Sequence, residues 1–288
     1  MYIPQGAVSL DKIPSISQIR MGIQGFPGTG KTYGSLTFPN PIVFNLDRGL
    51  GAHYGRADVI EVPAWNEEYL KTINPKYKAR EDLKDTIQIW VEKEAKKLEA
   101  EQTLVFDGGT ALQSAYNAWI SENRPVTKSG EFDEYAPWRL KIAYFEEIME
   151  TFKILKCHVI YLCHESEKAD KGGIYSGKIR PLLTGQFQDQ LASHFTDWFR
   201  QHSTEKILME KVDEKILKAW GMTNPKEFIS MQNEFPGNTI YFWQTEGDSI
   251  FDAKRSSLKP TAPKFIQSNF PSFMKYMKGE TNQTKTTK

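Results

Sequence analysis

The chain has 288 residues and balances 37 lysines and arginines against 36 aspartates and glutamates, for a formal net charge of +1. With 39% hydrophobic and 25% charged residues it is a globular, water-soluble composition, enough for one large domain or two small ones. The even charge excludes a polycation, so any nucleic-acid contact has to be a local patch, and no segment reaches the roughly 18 consecutive apolar residues of a membrane helix.

The first ten residues lack a basic region followed by an apolar block, which predicts no secretion signal and a cytoplasmic chain. A strand is predicted at Ile19–Gln24, followed by a glycine-rich turn and a short helix over Thr32–Thr37. Phe38-Pro-Asn-Pro41 ends that helix. Ile42–Leu46 reads as a buried strand ending in Asp47, and Val59–Val62 as another. Leu83, Ile87, Val91, Ala95 and Leu98 recur every three or four residues and predict one amphipathic helix over Ala79–Glu101. Thr103–Phe106 is a strand ending at Asp107, and Ala111–Ser121 a helix. The segment from Glu122 to Pro137 reads as a polar loop. Pro137–Lys156 reads as a helix, with Leu140, Ala143, Ile148, Phe152 and Leu155 on its apolar face.

His158–Cys163 is a continuous apolar strand ending at His164. Glu165–Gly185 is polar and glycine-containing and reads as a mobile loop. Gln186–His194 is helix-compatible and Thr196–Arg200 a short strand. Leu208, Val212, Ile216 and Trp220 predict a helix over Glu205–Trp220, and a second helix follows at Asn224–Glu234. Thr239–Thr245 and Ser249–Lys254 flank Glu246-Gly-Asp248 and predict a β-hairpin. The last ten residues, from Gly279, read as a disordered tail. Residues 1–278 read as a single domain, with a core over about 15–200 and an extension over 205–278. Alternating strands and helices predict an α/β fold with a mostly parallel sheet and a C-terminal antiparallel hairpin.

Cys157 and Cys163 lie in one extended segment, too far apart to bond, and read as reduced thiols. With His158 and His164 they do not make a zinc site, because strand side chains alternate between faces.

Gly25-Phe26-Pro27-Gly28-Thr29-Gly30-Lys31-Thr32 satisfies the phosphate-loop pattern in full, between a strand and a helix. Its glycines let backbone N–H groups turn toward phosphates. Lys31 is predicted to reach the β and γ phosphates and Thr32 to place its hydroxyl on Mg²⁺, with Tyr33 next to the loop. ATP and Mg²⁺ are therefore the expected ligands. Asp107 resembles a Walker B aspartate, which completes the metal shell.

Together these segments resemble the RecA-like P-loop ATPases. More closely, they are similar to phage-encoded nucleotide-binding proteins of the AAA type, which include single-strand annealing and recombination factors. The likeness covers about residues 15–200 and rests on Gly25–Thr32, Asp47, Asp107 and His164. It implies that Asp47 polarises the attacking water, although the family usually carries glutamate there. It implies that His164 senses the γ-phosphate. Either residue also reads as an ordinary strand end. The resemblance puts single-stranded DNA on the segments 122–136 and 165–185, with Lys168, Lys171, Lys178 and Arg180 as phosphate contacts. Local charge is modest there: four cations against three acids over 165–180, net +1, and two against four over 122–136, net −2. Arg255, with Lys254, matches the place of a finger reaching a neighbouring subunit, which implies a homo-oligomer; an ordinary basic turn is the alternative.

The expected activity is ATP hydrolysis in phage DNA recombination, annealing or replication, in the host cytoplasm and with phage replication or recombination proteins as partners. Two alternatives stand beside it: a slow or non-hydrolysing ATP switch that recruits a helicase or annealing protein, and a small-molecule kinase.

Overall fold

Continuous apolar runs become the middle of a mixed sheet. The computed structural model describes residues 18–131, 133–169, 175–184, 187–235 and 237–280. The first part of the chain forms β1 (Arg20–Gly25), α1 (Lys31–Ser35), β2 (Pro41–Asn45), β3 (Ile60–Val62), α2 (Glu67–Ile73) and α3 (Leu83–Lys93). The middle forms β4 (Thr103–Asp107), α4 (Gly109–Glu122), α5 (Ala136–Ile154), β5 (His158–Ala169), β6 (Tyr175–Pro181), α6 (Phe187–Gln190) and β7 (Asp197–Glu205). The C-terminal part adds α7 (Glu214–Ala219), α8 (Pro225–Asn233), β8 (Thr239–Gln244), β9 (Lys254–Arg255), β10 (Phe265–Gln267) and α9 (Phe270–Lys278).

The strand order is β10-β8-β7-β1-β5-β4-β2-β3, with β6 on β5 and β9 on β7. From β3 across to β7 all neighbours are parallel; β8, β9, β10 and β6 pair antiparallel. The inner parallel strands β1, β2, β4 and the first half of β5 are buried on both faces, which explains why β2, β4 and the first half of β5 read as apolar runs. One face carries Phe44, Phe106 and Tyr161 in a row, with stacked ring centroids 5.2 and 5.7 Å apart. Leu112 of α4 and Phe145 and Phe152 of α5 cover it. On the other face Met21, Ile23, Ile160, Phe199 and Trp243 pack with Phe273 of α9. A third cluster, built on Leu217, Trp220, Phe228 and Ile240, holds the C-terminal extension together.

Several sequence expectations are corrected. The segment 165–185 is not a loop throughout: β5 runs on to Ala169 and pairs with β6 from Glu165↔Pro181 to Ala169↔Tyr175, as an arm beyond the sheet. The predicted hairpin of 239–245 with 249–254 does not form. Instead β8 pairs with β7 and β10, while Asp248 accepts the N–H groups of Ile250 and Phe251 and turns Phe251 into the core. The predicted helix 205–220 shrinks to α7, because β7 extends to Glu205 and Asp213 caps a new start by accepting from Ile216. The predicted helix 79–101 keeps its buried face but is continuous only over α3, with 3-10 turns at Arg80–Asp82 and Ala95–Lys97. In α5 the buried set is Tyr144, Phe145, Ile148, Met149 and Phe152, whereas Leu140 and Ala143 face outward. Gly279, placed in the tail, ends α9 with a left-handed φ of 81°; residues 281–288 lie outside the described ones.

Candidate active site

The phosphate loop joins β1 to α1 and folds on itself. Thr29 donates its hydroxyl to Phe26 O at 2.8 Å. Gly30 has φ 85°, a left-handed conformation that side chains resist. The Lys31 ammonium is turned into the loop and donates to Gly25 O at 2.9 Å and Phe26 O at 3.0 Å. Burial pushes its pKa below the usual lysine value, and Cys163, Asp107, Glu165 and Asp47 oppose that shift.

Three neighbouring strands bring the acidic and imidazole groups to the same rim. Asp107, the last residue of β4, is 4% exposed and accepts a 2.8 Å bond from the Thr32 hydroxyl. Burial pushes its carboxyl up to about 6, against the lowering effect of Thr32. The chain leaves β4 through Gly108 at φ 133°, where a Cβ would meet Leu46 Cβ at 2.5 Å; glycine allows the β2 and β4 exits to touch. Asp47 follows β2, and its Oδ2 lies 3.3 Å from Nε2 of His164 on β5. The other ring nitrogen of His164 is 3.4 Å from Lys31 Nζ. Lys31, Thr32, Asp107, Asp47 and His164 thus meet within one constellation.

They line a cavity of about 570 Å³, together with Pro27, Gly28, Gly30, Tyr33, Gly49, Ala52, His53 and Tyr241. The cavity lies beyond the carboxyl ends of the strands, where open α/β sheets bind ligands. Gly49, Ala52, His53 and Tyr241 escaped the sequence reading. Residues 49–53 follow Asp47 closely, so the strand-end aspartate was the signal for the first three. Tyr241 carried none, because it arrives from β8 through tertiary pairing. A donor set of a threonine hydroxyl and a carboxylate suits a hard divalent cation such as Mg²⁺, and Lys31 with the loop amides suits phosphate.

Other expected residues are not at this cavity. Arg255 sits on β9, opposite Asp197 at the start of β7, the rim away from the phosphate loop, and donates to Ala262 O of its own chain. Arg255 is therefore not at the cavity of its own chain, and the expected reach was to that of a neighbouring subunit. Lys168 lies in β5, while Lys178 and Arg180 lie in β6 of the arm; Arg180 is ion-paired with Asp189. Lys171 lies outside the described residues. Cys157 and Cys163 are buried free thiols, and no cluster of three or more metal-ligating side chains exists among the described residues.

The root of the arm holds a feature that the sequence hid. Glu165, directly after His164, takes a bidentate grip from Arg200 of β7, with contacts of 2.9 to 3.1 Å, and their side chains are 1% and 11% exposed. Gln24 of β1 lies between them, donating to Glu165 at 3.3 Å and accepting from Trp198 Nε1 at 2.9 Å.

A family model described as AAA domain matches residues 17–219. Among curated proteins no sequence matches. Solved structures with some similarity include a prototypical ATPase from the type III secretion system of pathogenic bacteria, at 12% identity and TM-score 0.35, with 76% of this chain and 55% of that one covered. Another is the assembled ATPase EscN from the type III secretion system of enteropathogenic E. coli, at 13% identity and TM-score 0.35, covering 65% and 43%. The chain spans about half the length of these two proteins.

Proposed function

Because the chain belongs to the AAA domain family and is a P-loop ATPase, we propose that it hydrolyses Mg·ATP in the 570 Å³ cavity and couples the nucleotide state to a single-stranded nucleic acid held by the β5–β6 arm. The observation that carries this reading is the meeting of Lys31, Thr32, Asp107, Asp47 and His164 at one rim. Lys31 leaves the loop carbonyls to bind the β and γ phosphates. Thr32 and Asp107 hold the cation, and Mg²⁺ supplies neutralisation of the charge on the phosphoryl oxygens. Asp47 orients water for attack on the γ-phosphorus. His164, held between Asp47 and Lys31, reports occupancy of the γ-phosphate position. Its neighbour Glu165 begins the arm, so a shift at His164 reaches β6 without an intervening linker.

The DNA partner and the setting in phage recombination, annealing or replication follow from the resemblance to phage RecA-like ATPases and from the cations on the arm. The test is ATP turnover of the purified chain with Mg²⁺, alone and with single-stranded DNA, duplex DNA or RNA, beside Lys31→Ala. Stimulation by single strands that Lys31→Ala abolishes supports the reading. Turnover indifferent to every polymer removes the nucleic acid and leaves the ATPase with a protein partner.

A further inference from the structure

The nucleotide cavity has two chemically different ends. Lys31, Thr32, Asp107 and His164 make the charged end. The remainder is dominated by three rings, Tyr33, His53 and Tyr241. Tyr33 lies between the others, with centroids 5.3 Å from Tyr241 and 6.4 Å from His53, all three partly exposed. Burial first, and then Arg56, push the His53 pKa below its usual value, so this ring is a neutral surface at neutral pH.

Tyr241 is the informative member. It belongs to β8, outside the residues 17–219 that the family model matches. It reaches the loop because β7 continues past the end of β1 and carries β8 with it, pairing Ser203 with Tyr241 beyond the level where Arg200 pairs with Gln24. A Cβ on Gly30 would lie 2.4 Å from Tyr241 Cδ1, so the ring lies flush against the phosphate loop.

We propose that Tyr33 and Tyr241 form the recognition surface for the base of the nucleotide, a planar purine stacked on their rings, and that the C-terminal extension thereby supplies one wall of the ATP site. The proposal rests on the ATPase reading and deepens it. Aromatic faces give stacking energy to a base and nothing to a bare phosphate chain. The competing role for Tyr241, a prop that shapes Gly30, would act on both alike.

The experiment compares binding of ATP and of inorganic tripolyphosphate, each with Mg²⁺, by calorimetry. The intact protein is expected to bind ATP about tenfold or more tighter than tripolyphosphate. Tyr241→Ala is expected to weaken ATP about tenfold and leave tripolyphosphate within about twofold, and Tyr241→Phe to recover ATP affinity. Equal loss of both ligands in Tyr241→Ala, or no loss of either, overturns the proposal. Should Tyr241→Ala fail to fold, Tyr33→Ala with the same two ligands is read by the same criteria. Tripolyphosphate binding with no preference for ATP in the intact protein defeats the base site alone; binding of neither ligand defeats the ATPase reading and the base site with it.

Discussion

Nε2 of His164, inside β5, lies 3.3 Å from Oδ2 of Asp47, just past the end of β2, although β4 runs between those strands. Gly108 leaves room for Asp47 beyond the end of β4, since a Cβ there would meet Leu46 Cβ at 2.5 Å and Asp47 Oδ1 at 3.3 Å. The contact between Asp47 and His164 ties the residue proposed to orient water to the residue proposed to sense phosphate. Asp47→Asn and His164→Ala should each lower kcat by about a hundredfold or more while changing the KM for ATP only a few-fold. Steady-state kinetics check this. A KM rise at constant kcat would assign both residues to ground-state binding instead.

Lys31 makes a separate prediction, because its ammonium is buried and depressed in pKa by that burial. Lys31→Met retains the stem and removes a charge that is costly to desolvate. The melting temperature without nucleotide should therefore stay the same or rise, while kcat/KM falls about a hundredfold or more, ~3 kcal/mol of transition-state stabilisation. Thermal melts beside turnover separate the two effects. A large drop in melting temperature would mean that the bonds to Gly25 O and Phe26 O are what hold the loop.

The Glu165–Arg200 pair should be costly to break from one side. Both side chains are nearly excluded from water and the contact is bidentate. Glu165→Leu strands a buried guanidinium, at an expected cost of about 3–5 kcal/mol. The double replacement Glu165→Leu with Arg200→Met should cost less than either single change, because no charge is left unpaired. Urea unfolding of the four-member cycle gives the coupling energy. Additive costs would show that the two groups act independently.

The legible part of this molecule was local. β2, β4 and the start of β5 announce themselves as apolar runs because they are covered on both faces, and β1 is marked by the phosphate loop that follows it, a contiguous motif. Asp47 and Asp107 followed from the ends of those strands, and His164 from the end of the apolar half of β5, a strand that itself runs on to Ala169. What depended on distant partners was hidden. The arm residues Glu165–Ala169 look like loop because that strand leaves the core, where no alternation of apolar residues is required. Leu208, Val212, Ile216 and Trp220 fit a helical spacing, yet Leu208 is exposed and only Glu214–Ala219 is helical. Tyr241 meets Gly30 across more than two hundred residues, and neither Arg200 nor Glu165 bears any mark of the other.

Asp107 offers a pH-dependent prediction whose sign follows from burial. Its carboxyl stands at about 6 in the folded chain, against 3.8 as the ordinary value. Between those two pH values the folded state holds the proton and the unfolded state does not. The protonated group therefore does not penalise the fold at low pH, and stability is lost as pH rises from about 4 through about 6. Above that range the carboxylate costs the chain without its cation about 3 kcal/mol. Asp107→Asn should accordingly raise the unfolding free energy at pH 7.5 and leave it nearly unchanged at pH 4. The same replacement removes a charged oxygen proposed to hold Mg²⁺, so Mg·ATP affinity should fall. In the unmodified chain the cation competes with the proton, and Mg·ATP binding should weaken by about tenfold per pH unit below pH 6, with proton release on binding. Chemical denaturation at the two pH values, and calorimetry in buffers of different ionisation enthalpy, measure the two halves. A destabilised Asp107→Asn at pH 7.5 would mean that the carboxylate is held by stronger bonds than the one from Thr32.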